Sequence, residues 1–111
     1  MPSTIEQGAP LATLINVFTV RPERQRELVD LLNQATEEVM ITLPGFVSAN
    51  IHASTDGTKV VNYAQWSDAD AFRAMLANPV AQPHMTAAAE VAESYEPHLY
   101  EVSAVHAIDQ L

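Results

Sequence analysis

The stretch HASTDGTKVVNYAQW, residues 52–66, restricts the fold more than any other part of the chain. Asp56-Gly57 is a turn dipeptide, because glycine takes positive φ without a Cβ clash and aspartate tolerates the adjoining turn position. β-Formers flank it on both sides: Val47, Ile51, Val60, Val61, Tyr63 and Trp66. Two such runs about an Asp-Gly make a β-hairpin. Two registers are open to it. A two-residue loop pairs Thr55 with Thr58 and sets Ile51 opposite Asn62. A three-residue loop with Gly57 in a bulge sets Asn50 opposite Asn62 and brings His52 onto the face of Asn62 and Trp66. A one-residue shift turns every side chain over. Gly57 at the third loop position favours the bulged form, which needs a left-handed residue there. Asn62 stands in the middle of an otherwise apolar strand. A buried amide left unpaired costs about 1–3 kcal/mol, so Asn62 is bonded either by backbone or by a ligand.

The remaining elements follow from periodicity. The mostly apolar run LATLINVFTV at residues 11–20, interrupted by Asn16, reads as a buried strand. Pro22 suits the first turn of a helix and Glu23 its positive end. Leu28, Leu31, Leu32, Ala35 and Val39 then recur at helical spacing, until Leu43-Pro44-Gly45 stops the run. Strands are expected at about 46–54 and 58–66. Ser67 with Asp70 reads as a capping box that opens a helix faced by Phe72, Met75 and Leu76. Asn78-Pro79 ends it. A further helical piece is expected over about 82–95, with Pro97 ending it, and a last strand over about 98–108. The order β-α-β-β-α-β predicts an α+β, ferredoxin-like fold: a four-stranded antiparallel sheet with helices on one face. The other sheet face is left uncovered, which predicts a homodimer with sheets face to face.

Bulk properties narrow the function. The chain has 111 residues, one domain by size, and at 48% hydrophobic it can bury a core. Residues 1–10 read as a flexible arm without the pattern of a signal peptide, and residues 11–111 as the single domain. Zero cysteines remove disulfide and thiolate chemistry and fit a reducing cytoplasm. Five Lys+Arg against fourteen Asp+Glu give a net charge of −9, which repels nucleic acid. Basic residues are few for clamping a phosphorylated cofactor, and there is no Gly-rich phosphate loop. No apolar stretch reaches the roughly 18 residues a membrane span needs. His84, His98 and His106 lack the spacing of a metal site.

With this order in hand, the segment PGFVSANIHASTDGTKVVNYAQWSDADAFR, residues 44–73, resembles the matching hairpin and helix start of the antibiotic biosynthesis monooxygenases. The likeness covers about a quarter of the chain. It implies a dimeric α+β barrel with a pocket between sheet and helices. It also implies oxidation of a phenolic or anthrone-type aromatic by O2 to a quinone, with no flavin, haem or metal. The family's Asn and Trp on the third strand fall on Asn62 and Trp66, and the His before the hairpin turn on His52. A Tyr that quinone-forming members use early in the second helix is Phe72 here. Met75, Leu76, His84 and Met85 complete the expected substrate pocket.

The chemistry such a reaction needs is modest. A deprotonated electron-rich phenol can pass one electron to O2, so the protein must supply a base, donors for the enolate oxygen and a dry cavity. Asn62 fits the donor and Trp66 an aromatic wall with one N–H. His52 is the expected base, since imidazole exchanges protons near neutral pH. Tyr63, Tyr95 and Tyr100 are possible replacements for the missing Tyr. Two rival readings share the fold. One is a non-oxygenase barrel, a polyketide cyclase or small-molecule binding protein, which Phe72 favours. The other is a haem-degrading monooxygenase, whose Asn, Trp and His set Asn16, Trp66 and His84 mimic.

Overall fold

The computed structural model describes residues 2–108; the last three positions of the expected domain lie outside them. The elements are β1 (Ala12–Thr19), α1 (Gln25–Glu38), β2 (Phe46–Ala53), β3 (Lys59–Trp66), α2 (Ala69–Ala77), α3 (Gln82–Val91) and β4 (Ser94–Tyr100). Short 3-10 turns at Pro22–Arg24 and Met40–Thr42 bracket α1. The sheet runs β2-β3-β1-β4 with every neighbouring pair antiparallel. This is the expected α+β architecture, with the second helical region split in two. Among the described residues no helix is long and apolar enough to cross a membrane.

The hairpin adopts the register that the loop glycine argued against. Ile51 pairs with Asn62 and His52 with Val61. Asp56 decides the turn. Its Oδ1 accepts bonds from the Ser54 hydroxyl (2.8 Å), the Thr58 hydroxyl (2.8 Å) and the Thr58 N–H (3.0 Å). The Gly57 N–H closes on Ser54 O at 3.1 Å with φ of +82°. The glycine thus takes its left-handed conformation inside a longer loop. The ladder irregularity lies at the far end instead, between Phe46 and Ser48.

Two further expectations shift. Asp68, not Ser67, caps α2, its Oδ1 accepting the Ala71 N–H at 2.7 Å. The Ser67 N–H is taken by Gly45 O, also at 2.7 Å. The last helix ends at Val91 rather than near 95, and β4 spans Ser94–Tyr100 rather than about 98–108. The Glu93 N–H already bonds Thr19 O (2.8 Å), so pairing with β1 captures the chain before Pro97. Pro97 stands inside the strand, opposite Asn16. That is tolerable because β4 is an edge strand, where the missing N–H breaks no ladder.

Alternation then sorts the sheet. Leu14, Asn16 and Phe18 of β1 share the helix-covered face with Val60, Asn62, Ala64 and Trp66 of β3. The core under the helices falls into two clusters. One gathers Leu14, Val39, Ala64, Trp66, Phe72, Met75 and Ala81; the other gathers Phe18, Val20, Leu28, Val60, Ala88 and Val91. Asn16 and Asn62 lie between them in both strands. On the opposite face, Gln65 donates to Thr4 O (2.7 Å) and the Ser3 hydroxyl to Asn50 Oδ1 (2.7 Å), so residues 3–4 lie along the β2–β3 end.

Candidate active site

The seam between the two clusters opens into a cavity of about 500 Å³, well within the range of small-molecule sites. Its floor is the β1–β3 ladder and β4, and its walls are α1, α2 and α3. Leu14, Phe18, Leu32, Ala35 and Met40 make most of it apolar, together with Phe72, Met75, Leu76 and Met85. The residues expected to line a pocket, Phe72, Met75, Leu76, His84 and Met85, all do so, and Asn62 joins them. Phe72 and Met75 are buried, His84 and Met85 half-buried.

Polar groups are few. Asn62 Oδ1 is buried and has no hydrogen-bond partner. Asn16, directly across the ladder, turns its Oδ1 to the Glu96 N–H at 3.2 Å. His84 stands in the first turn of α3, brought to the cavity by the chain reversal at Asn78, whose Oδ1 accepts the Val80 N–H at 2.8 Å. Tyr95 borders the opening from β4, its ring 6.2 Å from Phe18. His98 also borders it. However, pairing with Ile15 puts its side chain on the other face, where it meets Glu96 (3.7 Å) and the Tyr100 ring.

Trp66 is 2% exposed and lies behind the cavity wall rather than on it. Phe46 meets it edge-on at 5.5 Å, and Phe72 stands 6.5 Å away between it and the opening. Its Nε1 is buried without a partner. His52 is not brought to the site. Its register with Val61 turns it to the far face, where it is exposed and its Nδ1 sits 3.1 Å from Asn50 O. Tyr63 and Tyr100 share that face by their pairing with Ile15 and Thr13. Sequence reasoning passed over Met40 as a site candidate and named Asn16 only within the haem-degrading set. For Asn16 a signal existed: like Asn62, it breaks an apolar strand at its middle.

Groups of three or more His, Cys, Asp or Glu able to hold a metal do not occur among the described residues. The arrangement suits a neutral, flat, apolar ligand held at one edge by amides, with an imidazole within the same cavity.

Comparison with known proteins follows the same line. The family described as antibiotic biosynthesis monooxygenase matches residues 12–91. Tetracenomycin-F1 monooxygenase of Streptomyces glaucescens is 56% identical over 82 residues, which cover 74% of this chain and 73% of that protein. A single-site mutant of SnoaB, a cofactor-independent oxygenase from Streptomyces nogalater, superposes with a TM-score of 0.77 at 29% identity, covering 92% of this chain and 100% of the other. The ActVA-Orf6 monooxygenase of Streptomyces coelicolor, solved with the ligand nanaomycin D, gives a TM-score of 0.74 at 31% identity, covering 90% and 91%.

Proposed function

Because the chain belongs to the antibiotic biosynthesis monooxygenase family, we propose that it oxidises a phenolic, anthrone-type polycycle with O2 to a quinone, without metal or organic cofactor, as a cytoplasmic homodimer. The observation that carries the reading is the buried, unpartnered Asn62 oxygen on the floor of an apolar cavity of about 500 Å³. An orphaned amide there is a standing cost of about 1–3 kcal/mol that a phenolic ligand would remove.

His84 is the base in this reading, since it is the imidazole whose side chain the fold allows into the cavity. It takes the proton that makes the substrate an enolate. Asn62 Nδ2 donates to the substrate oxygen at which that charge develops, leaving Oδ1 to accept from a neighbouring substrate hydroxyl. Leu14, Phe18, Met75 and Met85 keep water away, so the charge is not stabilised by solvent and the electron-rich ring reduces O2. One electron passes to O2, the two radicals combine into a carbon-bound hydroperoxide, and the O–O bond then breaks. One oxygen stays as the quinone carbonyl. The other leaves as water with the two hydrogens that the carbon has lost.

O2 uptake by metal-stripped protein with dithranol, corrected for the substrate's own autoxidation, tests this. Enzyme-dependent uptake is expected, falling by about 10²–10³-fold in Asn62→Ala if that amide acts as an oxyanion donor. Uptake no faster than the blank with dithranol and a panel of related phenols would remove the oxygenase reading.

A further inference from the structure

Three of the four methionines of this chain, Met40, Met75 and Met85, line the same cavity. No helical period gathers them, because they come from three elements: the 3-10 turn after α1, then α2, then α3. All three also stand on one side of it. Met75 is a buried member of the cluster with Trp66 and Phe72, and Met40 and Met85 pack against that cluster. The cluster on the other side is built of Phe18, Val20, Leu28, Val60, Ala88 and Val91. Thioethers are adaptable filling for an apolar wall. They are also the only oxidisable sulfur in a chain without cysteine, and the proposed reaction forms a hydroperoxide in the space they line. Met75 is 7% exposed, so the route by which an oxidant meets its sulfur is the cavity itself.

We infer that Met40, Met75 and Met85 form a modification site: a thioether wall that captures oxygen from the substrate hydroperoxide, becomes methionine sulfoxide, and so limits the working life of the enzyme. This rests on the proposed oxidation of a phenolic polycycle and adds a branch to it. On the main path the hydroperoxide loses water and leaves a quinone carbonyl. On the branch, a lone pair of a methionine sulfur attacks the terminal oxygen. The O–O bond breaks and an S–O bond forms. The inner oxygen stays on its carbon and takes the hydroperoxide proton, becoming a hydroxyl. Sulfur is oxidised to the sulfoxide, and the organic product is released at the hydroquinone level rather than as the quinone. A sulfoxide is polar, so it brings water to a wall that had kept it out, and the rate falls. Methionine sulfoxide reductases undo such a change.

Peptide mass spectrometry after turnover reads the branch. The protein oxidises dithranol with catalase and superoxide dismutase present, which remove the hydrogen peroxide and superoxide of autoxidation. Met75 is expected to gain one oxygen atom in step with turnover, and the heavy isotope when isotopically heavy O2 is supplied. Asn62→Ala, given the same dithranol for the same time, is expected to gain severalfold less. The rate is also followed, each protein against its own starting value. It is expected to decay severalfold more slowly when Met40→Leu, Met75→Leu and Met85→Leu are combined, swaps that roughly conserve volume. Met75→Leu alone serves if the triple variant does not fold. Enzyme-dependent uptake that leaves all three methionines unchanged in mass overturns the branch and leaves the proposed oxidation standing. Equal decay of the native and leucine proteins does the same. Uptake no faster than the blank removes the oxidation and this branch together.

Discussion

An imidazole earns a catalytic role by where the backbone puts it, and the histidines of this chain separate cleanly on that ground. His84 faces the cavity from the first turn of α3, whereas His52 is exposed on the opposite sheet face. His84→Gln is expected to lower kcat on dithranol by about 10²–10⁴-fold, the usual worth of general-base catalysis. His52→Gln should leave the rate unchanged. Equal losses in the two variants, or none in either, would show that His84 is not the base. Phe72 provides the complementary test, because it is a buried cavity residue with no proton to exchange. Phe72→Tyr places a hydroxyl on the wall in front of Trp66 and is expected to raise the rate on anthrone-type substrates; an unchanged rate would argue against any proton-transfer role at that position. Asn62 was legible in the sequence because an amide breaks an otherwise apolar strand, and Phe72 because it falls on the apolar face of its helix at the position where the family carries a Tyr. Asn16 carried the same signal as Asn62, but its place directly across from Asn62 did not show, because cross-strand partners follow from register.

At the scale of elements, register is where sequence reading and structure part. Gly57 does occupy the left-handed region, at φ +82°, but several loop lengths offer a glycine that place. What selects among them is Asp56, with three bonds to one carboxylate oxygen. Those bonds, the Thr58 N–H first, pull the Asp56 carboxyl from its ordinary 3.8 down to about 2. A group whose folded-state pKa is depressed adds stability that is present above its unfolded value and lost as pH falls through the folded one. Asp56 therefore stabilises the hairpin fully above about pH 4 and loses that contribution between about pH 4 and pH 2. Asp56→Asn should lower the thermal midpoint at pH 6 and converge with the native protein near pH 2. Parallel midpoint curves across that range would mean that the turn is held by other groups. The fourth strand was misplaced for a related reason. Pro97 reads as a boundary, since proline cannot donate, yet on an edge strand that defect goes unpunished, and which strand lies at the edge is a property of the assembled sheet.

At the scale of the molecule, one sheet face carries the helices and the cavity, and the other carries half-buried Ile15, Val17, Val61 and Tyr63 in the middle of the ladder. Tyr63 even holds a buried hydroxyl without a partner there. Residues 3–4 reach only the β2–β3 end of this face, and the exposed Tyr100 of β4, paired with Thr13, extends the apolar character to the edge. A central aliphatic strip of this kind is what a second copy would cover, and stable interfaces bury about 1,200–2,000 Å² in total. Val17 sits at the centre of the strip, paired with Val61 and Glu96. In a lone chain Val17→Lys would reach into water and beside Glu96 at little cost. Across a two-fold interface it would bury two ammonium groups against apolar surface, which is far more expensive. Light scattering after gel filtration should therefore find the native chain as a dimer and Val17→Lys as a folded monomer. Each copy carries a net charge of −9, so association opposes charge repulsion, and added salt, by screening it, should tighten the dimer. A native chain that elutes as a monomer at every salt concentration, or a Val17→Lys variant that stays dimeric, would mean that this face does not join two copies.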